Sequence, residues 1–396
     1  MENIKIDFQK HIDAGRCNGA EWIINYENKV YHDVIGYKDL DLKDKLNKNS
    51  YYRVWSMTKP IVGFAAMQLA EKKFLSLDDT IDRYLPEFKN IKKLNSLTSK
   101  LSDTSPVDNL PTIRQLLQHT AGFTYNSSDN NLAQEYEDKG LFHSPTSSLE
   151  EEVNKILELP LLYEPGSNWH YSISIDILAR IIEIVTKDKI INILKENIFD
   201  PLEMNQTNFF INESNQKNLV ETFEYSFDKS KLTNLNFNKR KLILYGYPTT
   251  NQNYSRGGHG LFSTAEDYAK FATMLLNGKN KNSKPLVNTE TLEMMRNNSL
   301  TADLFPLEIT SINTKKDIDY ENDLIGYGWG MGMRVLMKNT NQNKYGTIGE
   351  FGWSGYASTY FLVDPINNLS AVLMMQIIDA HKNIKQDFYN NIFKNI

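Results

Sequence analysis

The stretch V-W-S-M-T-K-P, Val54 to Pro60, sets a serine three residues ahead of a lysine, at the mouth of the apolar run I-V-G-F-A-A-M-Q-L-A. In a helix, positions i and i+3 share one face with Cβ atoms about 5–6 Å apart, so the Ser56 hydroxyl and the Lys59 amine fall within reach of each other. Proline is tolerated only in the first turn of a helix, and Pro60 therefore fixes the helix start close to Ser56. That start is the positive end of the helix dipole, rich in free backbone N–H groups, which suits a nucleophile whose attack creates an oxyanion. Alone, such a pair occurs often by chance and reads first as an N-cap serine beside a solvated lysine. The residues after Lys59 shift the balance. They are apolar almost all round, so the helix is buried, and a buried lysine needs a partner or a purpose. Burial also lowers its pKa, as a base near neutral pH requires.

Outward from this segment, the chain alternates strand and helix signals. Residues 1–13 carry an amphipathic helix pattern without the apolar core or cleavage site of a secretory signal. W-I-I-N-Y (Trp22 to Tyr26) and K-V-Y-H-D-V-I-G-Y (Lys29 to Tyr37) read as a β-hairpin. The spacing predicts a helix over 60–73, a short one over Pro111 to Gly122 with proline at its start and glycine at its end, and two more over 149–159 and 175–187. S-T-A-E (Ser263 to Glu266) fits a capping box ahead of another helix. S-T-Y-F-L-V-D (Ser358 to Asp364) and L-S-A-V-L-M-M-Q (Leu369 to Gln376) read as a second hairpin, and a last helix presents Ile384, Phe388 and Ile392 on one face. Residues 90–110 read as a polar surface insertion, and 213–256 as loops or strands over a cleft. Strands at both ends and helices between predict an α/β (α+β) architecture, an antiparallel sheet built from both termini with a mainly helical domain inserted. The expected division is 1–60 with 215–396 for the sheet domain and 61–214 for the helical one, with the active site between them.

Composition narrows the function. With 396 residues, 40% of them hydrophobic, the chain can bury a large core. A net charge of −5 with no Lys/Arg-rich block argues against nucleic acid as a partner. No apolar run approaches the roughly 18 residues of a membrane span, and the single cysteine, Cys17, precludes an internal disulfide. The expectation is a cytoplasmic protein not bound to a membrane. Oligomeric state is not readable. No H-E-x-x-H or C-x-x-C motif is present, so no metal is expected.

V-W-S-M-T-K-P, followed by K-K-F-L-S-L-D-D-T-I-D-R-Y-L-P-E-F, T-I-R-Q-L-L-Q-H-T-A-G-F, P-G-S-N-W-H-Y-S-I-S, G-G-H-G-L-F-S-T-A-E-D-Y-A-K-F and F-G-W-S-G-Y-A-S-T-Y-F-L-V-D-P, resembles the serine β-lactamase and penicillin-binding-protein superfamily, in particular its class C β-lactamase and family VIII carboxylesterase branch. The resemblance runs from about residue 10 to 396. It implies a β-lactamase/transpeptidase-like fold and a catalytic group of Ser56, Lys59 and Tyr171, the last from the P-G-x-x-x-x-Y loop. It also places W-x-G, Trp353-Ser354-Gly355, on a sheet strand lining the site. The oxyanion would meet the backbone N–H of Ser56 and of Tyr356, with no cofactor. Whether Lys59 or Tyr171 is the base stays open at this level. Two departures point to a small-molecule neutral ester rather than an anionic lactam, with β-lactamase or D-amino-acid peptidase/acyltransferase action on the same site as the alternative. Ile173 stands where the penicillin-handling enzymes usually have asparagine, and Trp353 where β-lactamases carry a cationic lysine. A non-catalytic binding module is the alternative class, against which the intact Ser56, Lys59 and Tyr171 argue. His259, in G-G-H-G, reads as a substrate contact and His119 as a structural residue at a helix end. G-W-S-G-Y around Ser354 nearly matches a nucleophile elbow but runs into a strand.

Overall fold

The computed structural model describes residues 2–40, 44–235, 249–309, 324–381 and 383–396. Helix α1 (Glu2–Asp13) leads into the hairpin β1 (Gly19–Tyr26) and β2 (Lys29–Gly36). The buried helix α2 (Thr58–Glu71) follows, then α3 (Ile113–Gln118), α4 (Ser174–Thr186) and α5 (Ala265–Met274) among further short helices. The C-terminal third returns to strands: β3 (Tyr327–Trp329), β4 (Arg334–Leu336), β5 (Phe351–Ser354), β6 (Tyr360–Asp364) and β7 (Leu369–Met374), closed by α6 (Asn383–Phe393).

These strands form one seven-stranded sheet in the order β2-β1-β7-β6-β5-β4-β3, every neighbour antiparallel. The N-terminal hairpin thus joins the C-terminal meander through β1 and β7, with Ile23 opposite Val372 and Trp22 opposite Leu373. Side chains alternate across the pleat. Ile23, Val372, Phe361 and Trp353 enter the main core with the central helices, while Trp22, Leu373, Tyr360 and Leu362 pack under α1 and α6. With both faces covered, β6 and β7 are buried at every position, which explains their near-continuous apolar run. Helix α5 lies on β7 and β1, and α2 packs against α4. No helix among the described residues is long and apolar enough to cross a membrane.

Local details differ from the sequence reading. The capping residue before α5 is Thr264, which accepts from Asp267 N–H at 3.2 Å; Ser263 instead ends a short strand. The Ser263 hydroxyl is engaged by Thr207 Oγ1 and the Thr264 carbonyl, and the frame is one residue later than expected. Helix α3 starts from a Thr112–Gln115 capping box and ends at His119, whose φ of 58° takes the left-handed position expected of Gly122. Residues 90–110 carry a two-stranded ribbon, Lys92–Leu94 with Thr104–Pro106, rather than irregular coil. In 213–256, strands Phe223–Ser226 and Lys231–Asn234 pair, and 236–248 lie outside the described residues.

Under the sheet face that carries α6, Glu350 is 1% exposed and accepts from Tyr327 Oη at 2.9 Å and Tyr389 Oη at 2.8 Å. Substituting Glu350→Ala removes the acceptor shared by two buried hydroxyls, and the expected cost is about 1–3 kcal/mol, measured as a lowered urea midpoint. An unchanged midpoint would show that the phenols find other partners.

Candidate active site

Ser56 does not cap α2. It lies in a 3₁₀ turn, Trp55–Met57, that runs directly into the helix, and the residue at the α2 N-cap is Met57, with no side-chain cap bond. The hydroxyl is therefore not spent on the helix end. The turn is braced on all sides. Val54 N–H donates to Leu261 O at 3.0 Å, Thr359 Oγ1 donates to Val54 O at 3.2 Å, and Tyr268 Oη donates to Met57 O at 2.8 Å.

One turn on, Lys59 is wholly buried, while Ser56 is partly exposed. Lys59 Nζ stands 3.2 Å from Ser56 Oγ, 2.8 Å from Tyr125 Oη and 2.6 Å from the carbonyl oxygen of Gly258. It also sits 4.7 Å from the ring centre of Tyr171. Burial pushes the amine from the ordinary lysine range down to about 7, against the opposing charge of Asp176. Asp176, buried in the first turn of α4, has its carboxyl pushed up by the same desolvation, while the Gly258 N–H and the Lys59 charge work the other way. Gly258 joins the two groups: its N–H donates to Asp176 Oδ1 at 2.9 Å and its carbonyl accepts from Lys59. A Cβ there would lie 2.3 Å from Asp176 Oδ2 and 2.9 Å from Tyr125 Oη, so a larger residue would displace both groups.

Tyr171 arrives on the 164–173 loop, which the H-T-A-G turn clamps. Gly166 N–H donates to Thr120 O at 2.8 Å and His170 N–H to His119 O at 2.9 Å. Burial pushes the His119 imidazole well below its usual range. The neutral ring accepts from Ser172 N–H through Nδ1 at 3.3 Å, a structural part as expected. Trp353 Nε1 donates to Tyr171 Oη at 3.1 Å, and the Tyr171, Trp353 and Trp329 rings form an aromatic wall, with Trp329 and Trp353 centroids 4.7 Å apart. Desolvation pushes the Tyr171 phenol up, against hydrogen bonds with the Ser56 side chain and Trp353.

The structure thus gathers Ser56, Lys59, Tyr171 and Trp353. Ser354 belongs to the opposite pleat, paired with Tyr360, and does not face Tyr171. Gly355 follows, where a Cβ would lie 2.5 Å from Val54 O, so the turn beyond β5 sits against the turn that carries Ser56. Tyr356 lies there too, 39% exposed at the rim. His259 is placed differently from the expectation: it is buried, with Nε2 3.2 Å from Tyr254 Oη and its ring against Phe142. Its segment serves the site through the Gly258 backbone instead. Tyr125, Asp176 and Gly258 escaped the sequence reading as members of this group. Their one signal was nearness to quoted motifs: Tyr125 follows H-T-A-G-F by two residues, Asp176 follows Tyr171 by five, and Gly258 lies inside G-G-H-G.

The Beta-lactamase family model matches residues 7–390. The chain is 25% identical to lovastatin esterase of Penicillium rubens over 98% of this chain and 97% of that protein. To esterase EstB of Burkholderia gladioli it is 28% identical, over 51% of this chain and 50% of EstB. Among solved structures it resembles EstCE1, a hydrolase with promiscuous acyltransferase activity, with a TM-score of 0.77 at 24% identity over 98% of this chain and 97% of the other. The fold is therefore β-lactamase/transpeptidase-like, and the chain belongs to the Beta-lactamase family.

Proposed function

We propose that the protein is a serine hydrolase that cleaves small, neutral carboxylic esters through an acyl-enzyme on Ser56. The observation that carries this reading is the 3.2 Å contact between a partly exposed hydroxyl and a buried amine held near neutrality by desolvation. A neutral amine has two N–H groups and one lone pair. The Gly258 carbonyl can only accept and takes one N–H; the Tyr125 hydroxyl takes the second. The lone pair is left for the Ser56 proton. Tyr171, its phenol pushed up, stays neutral at physiological pH and is a donor rather than a base. These features favour Lys59 as the base.

In the first step Ser56 Oγ bonds to the ester carbonyl carbon, its proton passes to Lys59, and the carbonyl π pair moves onto oxygen. The backbone N–H groups of Ser56 and Tyr356 receive that oxyanion. The ammonium formed on Lys59 is offset by Asp176 below it. Collapse expels the alkoxide, which takes a proton through Tyr171, and Lys59 resupplies it. Water then adds to the acyl carbon by the same route and frees the acid and Ser56. Among the described residues, the aromatic wall of Trp353 and Trp329 offers no cation to a substrate carboxylate, and Ile173, two residues after Tyr171, is buried. That supports a neutral ester over an anionic lactam, as do the names of the esterase relatives.

A fluorophosphonate probe is expected to label the purified protein at Ser56, and p-nitrophenyl butyrate to be turned over faster than a chromogenic cephalosporin or a D-alanyl amide. Failure to label would sink the acyl-serine reading; faster cephalosporin turnover would sink the ester preference alone.

A further inference from the structure

Trp55, immediately before the nucleophile, has a φ of 49°. This left-handed backbone is rare for a large aromatic residue, and such conformations persist only where the surroundings over-determine them. Here they do. Val54 and Met57, on either side of the Trp55–Ser56 pair, are held by the bonds from Thr359 and Tyr268 described above. The indole itself is 3% exposed and meets the Tyr356 ring edge-on, with centroids 5.7 Å apart at 68°. It belongs to a small apolar cluster with Tyr51, Phe262 and Ala357. Gly355 lets the two turns close up, because a Cβ there would come within 3.1 Å of Trp55 Cβ.

The two residues in ring contact therefore flank the two backbone donors read as the oxyanion site. The peptide plane bearing the Ser56 N–H is set by the backbone angles of Trp55, and the other donor is the N–H of Tyr356 itself. We propose that Trp55 is a positioning residue: its indole, wedged against Tyr356, sets the spacing of the Ser56 and Tyr356 N–H groups so that both converge on the oxygen that gains charge. The inference rests on the acyl-serine reading. It assigns to an apolar side chain with no part in proton transfer a role in transition-state binding, since donors that stabilise developing charge act only when placed before the reaction.

The test compares Trp55→Ala, Trp55→Phe, Tyr356→Ala and the double variant Trp55→Ala/Tyr356→Ala on p-nitrophenyl butyrate. Trp55→Ala is expected to lower kcat by about 10²-fold with KM little changed, the signature of a group that acts in the transition state. Trp55→Phe keeps a ring and is expected to recover most of the loss. The double variant is expected to be no worse than the poorer single one, because both remove one contact. Binding of a trifluoromethyl ketone, which presents an oxyanion, is expected to weaken in step with kcat/KM. A merely structural role would lower the melting temperature and leave kcat of the folded fraction intact, and that result overturns the inference. Additive losses, or a fall confined to KM, overturn it too. Should Trp55→Ala fail to fold, Tyr356→Ala on the exposed rim reads the same contact, and unchanged kcat there is equally fatal. Fluorophosphonate labelling of the wild type separates the two levels: an active, labelled wild type beside an unimpaired Trp55→Ala removes this inference alone, whereas an unlabelled wild type removes the acyl-serine reading beneath it.

Discussion

Substitution Ser56→Ala is expected to lower kcat on a p-nitrophenyl ester by about 10⁴-fold or more, the scale on which removing a covalent nucleophile acts. The reason is specific to this chain. Ser56 makes no helix-capping bond and is partly exposed, so alanine leaves the turn and α2 intact. The loss is therefore chemical and not conformational. Circular dichroism and the urea midpoint are expected to match the wild type while labelling and turnover vanish together. Retention of more than a few per cent of the turnover would place the nucleophile elsewhere.

The second large effect is at Lys59. Lys59→Met keeps the length and apolar stem but removes the lone pair, and an expected fall of about 10²–10⁴-fold in kcat/KM follows from losing a general base. The fold tolerates it, because the Asp176 carboxyl, already pushed up by burial, takes a proton once its cationic neighbour is gone. The same geometry gives a pH dependence. The wild-type amine titrates near 7, so kcat/KM is expected to rise with pH through that region as Lys59 loses its proton, and to fall below it as the ammonium forms. Desolvation lowers this pKa and Asp176 raises it, so Asp176→Asn removes the opposing influence and moves the acid limb to lower pH. A flat profile between pH 5 and 9, or an upward move in Asp176→Asn, would contradict Lys59 as the base.

What could be read from the residues divides along a physical line. Periodicity exposed α2 as buried, because apolar residues occupy its whole circumference, and with it the unusual Lys59. Strand pairing at the C-terminus was legible from two apolar runs about a short polar turn. Contacts made by the main chain were not. The carbonyl of Gly258 is chemically the same as that of any other residue, and the eye went to His259, which carries a distinctive ring and turns out to be buried against Tyr254 and Phe142. Tyr125 was missed because its bond to Lys59 spans 66 positions and no local pattern encodes it. Trp55 shows the same limit. Its left-handed φ is imposed by Thr359 and Tyr268, which lie some two to three hundred residues away along the chain, and an aromatic residue is the last type one would assign to that conformation.

The order of strands in the sheet has a consequence for how the molecule is made. β1 is synthesised well before its inner neighbour, β7, which pairs Leu373 with Trp22. During translation the early hairpin must wait, its inner edge unpaired, until residue 374 has left the ribosome. Closing so long a loop is slow, and an open apolar edge invites association with other nascent chains meanwhile. The brace on the turn that carries Ser56, donated by Thr359, comes equally late. A growing chain therefore carries Ser56 and Lys59 long before the residues that fix their turn have been made.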